Sequence, residues 1–142
     1  MQPNNLALEV TESAIIRSAA IATSVLTELR EFGIKLSIDD YGTGQSSLSY
    51  LKQLPVHELK IDRAFVTSVC DNSNDEIMVR STIQLAHELG LQVVAEGVED
   101  QSTVALLQSL GCDYAQGYFT GQPMAFDQLT NLSGAAPTGK VA

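Results

Sequence analysis

The sequence contains no tryptophan, only two cysteines and few basic residues. Cys70 and Cys112 lie far apart and show no metal-ligand spacing, so we expect ordinary reduced thiols. Eight Lys and Arg residues oppose 17 Asp and Glu residues, which gives a formal net charge of −9. Because no basic stripe is present, we do not expect the chain to bind the phosphate backbone of DNA or RNA.

Long apolar runs are also missing. No stretch approaches the roughly 20 apolar residues of a membrane span. The N-terminus lacks a basic and apolar signal sequence, so we expect a cytoplasmic protein without membrane contact. With 142 residues, 44% of them apolar, the chain is able to bury the core of one compact domain.

Four short apolar runs end in charged residues. They cover residues 6–9, 36–40, 58–62 and 93–96. A single acid at such a position is more often a helix cap or part of a surface ion pair. Charge at the end of a buried strand costs desolvation free energy, however, and its fourfold repetition favours a shared ligand or metal site.

Helical patterns separate the charged runs. In the first pattern, Ile21, Val25, Leu29 and Phe32 fall on one predicted helical face, and Gly33 follows as a stop signal. Comparable spacing predicts three further helices, in which Pro55, Gly90 and Gly111 mark the ends. The predicted helices cover residues 13–32, 46–54, 75–89 and 101–110.

The final predicted elements are a fifth strand over residues 114–119 and a flexible tail over residues 131–142. We see no boundary within residues 1–130, which we interpret as one domain. Alternating strands and helices predict an α/β fold with a parallel sheet and outer helices. An open doubly wound sheet and part of a barrel both fit, but no glycine-rich nucleotide fingerprint follows a strand, so the barrel is favoured.

Five blocks of sequence resemble the C-terminal part of EAL domains, which are bacterial signalling phosphodiesterases of cyclic di-GMP with a TIM-type (β/α) barrel. The blocks are Glu-Val-Thr-Glu-Ser, Asp-Asp-Tyr-Gly-Thr-Gly-Gln-Ser-Ser-Leu, Leu-Lys-Ile-Asp-Arg-Ala-Phe-Val, Val-Val-Ala-Glu-Gly-Val-Glu and Gly-Cys-Asp-Tyr-Ala-Gln-Gly-Tyr. They occur in the family's order over about residues 6 to 130. From the charge pattern alone, another Mg²⁺-dependent barrel enzyme would be the choice, but the matches over residues 39–48 and 93–99 favour the EAL family.

The resemblance implies a site for two divalent cations, Mg²⁺ or Mn²⁺. Glu9, Asp39 and Asp40 correspond to metal ligands, and a cation pair of this kind activates water and polarises a phosphodiester. Lys60 corresponds to a catalytic lysine that offsets charge on the phosphoryl oxygens. Glu96 corresponds to the glutamate that acts as general base or orients water.

Four further residues acquire roles from the same resemblance. Gln116 matches a residue that orders the water shell of the metals. Glu12 matches the glutamate that anchors the loop after Asp40, in which Gly42 and Gly44 supply unusual backbone angles. In the family, this loop links metal binding to dimer contacts. The two glycines also fit an ordinary turn.

The family's Glu-Ala-Leu motif and a later asparagine ligand precede the first matched block, and neither is in the printed sequence. We therefore expect a truncated domain with about five strands of the barrel and weak or no hydrolysis by the chain alone. Open sheet edges favour self-association. The alternative is a non-catalytic module that binds cyclic di-GMP or a protein.

Overall fold

The computed structural model describes residues 2–42 and 51–123. A 3₁₀ turn at Pro3–Asn5 precedes five strands and five helices in these residues. The strands are β1 (Ala7–Thr11), β2 (Lys35–Tyr41), β3 (Glu58–Ile61), β4 (Gln92–Glu96) and β5 (Tyr114–Gln116). The helices are α1 (Glu12–Arg17), α2 (Ala19–Glu31), α3 (Arg63–Val66), α4 (Ser73–Glu88) and α5 (Gln101–Ser109).

All strand pairs are parallel, and the five strands lie side by side in chain order. A doubly wound sheet reverses its strand order at a switch point, whereas a barrel adds strands sequentially. The observed order is therefore that of an incomplete (β/α) barrel. The predicted α/β class and the five parallel strands with flanking helices are confirmed.

The alternation of side chains along the strands separates the core from the polar face. In β2, Leu36 and Ile38 are buried in the hydrophobic core with Leu59 and Ile61 of β3. Successive strand residues point to opposite faces, so Asp39 and Lys60 lie on the other side of the sheet. Helix residues complete the core, among them Val66, Val79, Ile83, Ala86 and Leu107.

The first predicted helix is wrong in its continuity and in its buried face. The chain leaves helical geometry at Ser18 (φ −151°, ψ 60°), which separates α1 from α2. Leu26 is buried, whereas Ile21 is 66% and Phe32 70% exposed. The predicted apolar residues do recur at helical spacing. The residues of α2 that contact the core, however, form a second apolar stripe that includes Ala22 and Leu26.

Smaller differences affect the later elements. Helix α4 turns Val79, Ile83 and Ala86 into the core and leaves Met78 exposed. Strand β5 ends at Gln116 instead of residue 119. The start of the predicted second helix and the expected tail at 131–142 lie outside the described residues. In the described ranges, every helix is too short or too polar to cross a membrane.

Candidate functional site

Lys60 is the centre of a charged cluster at the carboxyl ends of the strands. Its ammonium Nζ lies 2.7 Å from Glu9 Oε1, 2.5 Å from Glu96 Oε1 and 3.9 Å from Asp39 Oδ1. The lysine is only 3% exposed, whereas the Glu9 side chain is 49% exposed. Three carboxylates from three strands therefore converge on one buried cation.

A bulge in β2 brings two consecutive aspartates to this cluster. Ile38 pairs with Leu59 and Tyr41 with Ile61, so β2 contains one more residue than β3 across the same interval. Asp40 has a positive φ of 56°, and its backbone N–H donates to Asp39 Oδ1 at 3.0 Å. In a regular strand these neighbours would point to opposite faces, but a bulge re-aims side chains.

The outcome is a compact set of oxygen donors. One carboxylate oxygen each from Asp39, Asp40 and Glu96 lies within 4.8 Å of the others, and all three residues are half-buried. Hard carboxylate oxygens are preferred ligands of Mg²⁺ and Mn²⁺. The donor set therefore fits a divalent cation. Glu9 lies outside this set but reaches the same cluster through Lys60.

The charges in the cluster shift one another's pKa values. Burial by itself lowers the pKa of Lys60, but the hydrogen bonds and charges of Glu9 and Glu96 outweigh it and raise that pKa. Burial raises the pKa of Glu96, and the charges of Asp39 and Glu9 add to the effect against the opposing pull of Lys60. At Glu96, burial and the neighbouring carboxylates therefore outweigh the effect of Lys60.

Asp62 contributes to this cluster in a way that the sequence patterns did not reveal. A hydrogen bond with Asp62 is the main cause of a raised pKa of Asp40, followed by burial and by the charge of Asp39. Asp62 also caps α3, because its Oδ1 accepts from the Ala64 N–H at 2.7 Å. Its place at the end of a predicted strand was compatible with a helix cap but gave no signal for the contact with Asp40.

Three of the four remaining predicted site residues, Glu12, Gly42 and Gln116, are in the described part of the chain. Glu12 is 2% exposed, and its Oε2 accepts from the Gly42 N–H at 3.2 Å. Gly42 has a φ of 101°, which favours glycine. Gln116 is exposed at the end of β5, directly opposite Glu96 in the strand register. Gly44 lies outside the described residues.

Several known proteins resemble this chain over most of its length. The model of the EAL domain family matches residues 1–123. A bifunctional diguanylate cyclase/cyclic di-GMP phosphodiesterase, MucR of Pseudomonas aeruginosa, is 45% identical over 91% of this chain. The chain spans only 19% of that relative's length.

Solved structures show the same relationship. A MucR phosphodiesterase in complex with cyclic di-GMP superimposes with a TM-score of 0.88 at 45% identity, over 91% of this chain and 52% of that one. A manganese and cyclic di-GMP complex of Klebsiella pneumoniae BlrP1 gives 0.80 at 35% identity, over 87% of this chain and 31% of that one. BlrP1 has also been solved with calcium. On the family match and these structures, the chain belongs to the EAL domain family.

Proposed function

We propose that this chain supplies the carboxylate and lysine side of a site that hydrolyses cyclic di-GMP to the linear dinucleotide with the help of Mg²⁺ or Mn²⁺. The observation that carries the proposal is the convergence of Asp39, Asp40 and Glu96 within 4.8 Å beside the buried Lys60. Relatives named as cyclic di-GMP phosphodiesterases support the choice of substrate.

The acidic residues and the lysine of the cluster have different proposed roles. Glu9, Asp39 and Asp40 would hold the cations, and Glu96 lies close enough to Asp39 and Asp40 to orient water bound to them. Divalent cations supply charge neutralisation for the phosphodiester and make a neighbouring water more acidic. Lys60 places its positive charge where negative charge develops on the phosphoryl oxygens, and its raised pKa keeps it protonated at neutral pH.

Proton transfer is assigned to Glu96. Its raised pKa makes it a stronger base than an ordinary carboxylate, as a group that takes a proton from the attacking water requires. The neighbouring Lys60 holds the Glu96 carboxylate in one orientation at 2.5 Å. Gln116 would complete the water network from the adjacent strand.

The 142-residue chain by itself is proposed to hydrolyse slowly. The described residues place five carboxylates at the cluster, those of Glu9, Asp39, Asp40, Asp62 and Glu96. Each Mg²⁺ prefers about six oxygen ligands, so water or further groups would have to complete the coordination of two cations. Incubation with cyclic di-GMP and Mn²⁺, followed by chromatography, measures the linear product. Slow product formation that Asp39→Asn abolishes supports the proposal, whereas product formation unaffected by Asp39→Asn overturns it.

A second function, metal-independent binding of cyclic di-GMP, is favoured by one observation. Lys60 pairs directly with Glu9 and Glu96, so its ammonium compensates part of the negative charge of the carboxylates. Calorimetry in excess chelator distinguishes the two functions. Unchanged affinity for cyclic di-GMP would select the binding module.

Self-association is part of the same proposal. Strands β1 and β5 each pair on one side only within the described residues, and open edges of parallel strands favour association. We propose a homo-oligomer that buries these edges in the cytoplasm. Light scattering across a range of protein concentrations tests it, and a monomer at every concentration contradicts it.

A further inference from the structure

The backbone directly after Glu96 is unusually crowded. Gly97 has a φ of 72°, and a Cβ placed there would lie 2.6 Å from the Cβ of Arg63 and 3.3 Å from its Cα. Those atoms belong to the first residue of α3 and have no freedom to swing away. The chain therefore turns at Gly97 in direct contact with the helix that follows β3.

Val98 then connects this turn to the end of β5. Val98 is fully buried, its N–H donates to the Gln116 carbonyl at 3.1 Å, and its carbonyl accepts from the Phe119 N–H at 3.0 Å. These bonds continue the β4–β5 pairing past its last register pair, Glu96 and Gln116. The ends of the two strands are thus bonded beyond the sheet.

Gly117 makes this approach possible. A Cβ at Gly117 would lie 2.2 Å from the Val98 carbonyl oxygen and 2.3 Å from the Val98 nitrogen. Both are backbone atoms, so no rotamer change relieves the overlap. Thr120 holds Gly117 from the other side, because its Oγ1 donates to the Gly117 carbonyl at 2.8 Å and accepts from the Gly117 N–H at 3.3 Å.

We infer that Gly97, Val98 and Gly117 form a backbone clamp whose role is to hold the Glu96 carboxylate against Lys60 and to fix Gln116 opposite it. Glu96 directly precedes the clamp. Its carboxylate lies 2.5 Å from Lys60 Nζ, so a displacement of the backbone at Glu96 would disturb this contact. The three residues are positioning residues, because they act through Glu96 and Gln116. The part of the inference that concerns metal binding rests on the proposed function. The part that concerns the position of Glu96 and Gln116 does not.

The experiment uses the 142-residue chain and tests the position of Glu96 separately from metal binding. Its first measurement uses the metal-free protein and records the carbon-13 NMR signal of the Glu96 carboxyl group at neutral pH, which reports contact with Lys60. Its second measures hydrogen exchange of the Val98 and Phe119 amides. Its third measures Mn²⁺ affinity by electron paramagnetic resonance.

Two pairs of variants isolate the clamp. Gly117→Ala introduces the overlap with Val98, and Gly111→Ala is its control, because a Cβ at Gly111 meets nothing within 4 Å and only strains a φ of 84°. Thr120→Val removes the hydroxyl that holds Gly117 with little change of volume. Its control, Thr27→Val, removes an exposed hydroxyl bond on α2.

For Gly117→Ala we expect a shifted Glu96 signal, exchange of the Val98 and Phe119 amides about tenfold faster or more, and Mn²⁺ affinity reduced by about tenfold. Thr120→Val gives smaller changes in the same direction and decides the question if Gly117→Ala does not fold. Both controls leave the Glu96 signal and these amides unchanged even where they lower stability.

Specific results would overturn the inference. An unshifted Glu96 signal in both Gly117→Ala and Thr120→Val, or fast exchange of Val98 in the unmodified chain, contradicts the clamp. A shifted Glu96 signal with unchanged Mn²⁺ affinity removes its role in metal binding. If the unmodified chain does not bind Mn²⁺, the proposed function fails while the Glu96 signal still decides whether the clamp exists.

Discussion

Glu9 on β1 and Lys60 on β3 form a 2.7 Å ion pair across the intervening strand β2. Because Lys60 also contacts Glu96 on β4, one buried ammonium connects the ends of three strands. Removing a partner from a buried ion pair is costly, since the remaining charges stay desolvated. The cluster is therefore coupled to stability as well as to chemistry.

Lys60→Met is expected to lower the free energy of unfolding of the metal-free chain by about 2 kcal/mol at neutral pH. This loss is smaller than is usual for a broken buried ion pair, because Glu9 is half exposed. The variant leaves three carboxylates without their cation. Urea unfolding measures the loss, and Lys52→Met, at an exposed lysine, is the control. Equal effects of the two substitutions would contradict the account.

The cost of Lys60→Met should depend on pH. Protonated carboxyl groups no longer need the ammonium, so the difference from the unmodified chain shrinks as pH falls through the raised pKa of Glu96. In the opposite direction, the folded state holds the Lys60 proton more tightly than the unfolded state does. That stabilisation is present below the unfolded pKa and is lost as pH rises through the raised folded pKa. Unfolding curves across the pH range check both slopes.

Substitutions at Asp40 test the bulge. Asp40→Asn keeps a residue type that tolerates a φ of 56° and removes charge that the fold disfavours, so it is expected to stabilise the metal-free chain. Asp40→Ala adds strain in the left-handed region and should be about 1 kcal/mol less stable than Asp40→Asn. Asparagine and alanine variants of equal stability would indicate that Asp40 is not held at positive φ.

Asp40→Asn should also change the pH dependence of stability. The pKa of Asp40 is higher in the folded than in the unfolded chain. The unmodified metal-free chain therefore gains stability as pH falls from above the folded pKa to the unfolded pKa of about 4. The asparagine variant loses this part of the gain. Thermal unfolding in chelator at a series of pH values measures it, with exposed Asp71→Asn as control.

The two cysteines should differ sharply in reactivity. Burial raises the pKa of the Cys112 thiol to about 11, whereas Cys70 is exposed. At neutral pH the folded chain should therefore react with iodoacetamide once, at Cys70, because both access and thiolate formation are denied at Cys112. Mass spectrometry of the labelled peptides checks this, and fast labelling of Cys112 in the native state would contradict its burial.

The Glu12 carboxylate should stabilise the end of β2. Glu12→Ala leaves the Gly42 N–H without this acceptor in a partly buried place, which is expected to cost about 1–3 kcal/mol. Glu31→Ala, at an exposed position of α2, serves as the control and should be nearly neutral. A neutral Glu12→Ala would show that this bond contributes little.

The ends of the first four strands, the class of fold and the bounds of α4 and α5 to within two residues were predictable, because buried strands and amphipathic helices have distinct periods. The short helix α3 was not predicted. Helix α2 was misread since it carries two apolar stripes, and only tertiary contacts reveal that Leu26 faces the core. The bulge at Asp39 and Asp40 and the contact of Asp62 with Asp40 were also beyond the sequence patterns. Both depend on how β2 pairs with β3, which a local pattern does not encode.

The central claim is that the carboxylates around Lys60 bind divalent cations that in turn recruit cyclic di-GMP. Calorimetric titration of the chain with cyclic di-GMP, in Mn²⁺ and again in excess chelator, tests it most directly. The account predicts binding in Mn²⁺ that is lost in chelator and in Asp39→Asn. Binding of equal strength in chelator, or in Asp39→Asn, would contradict it.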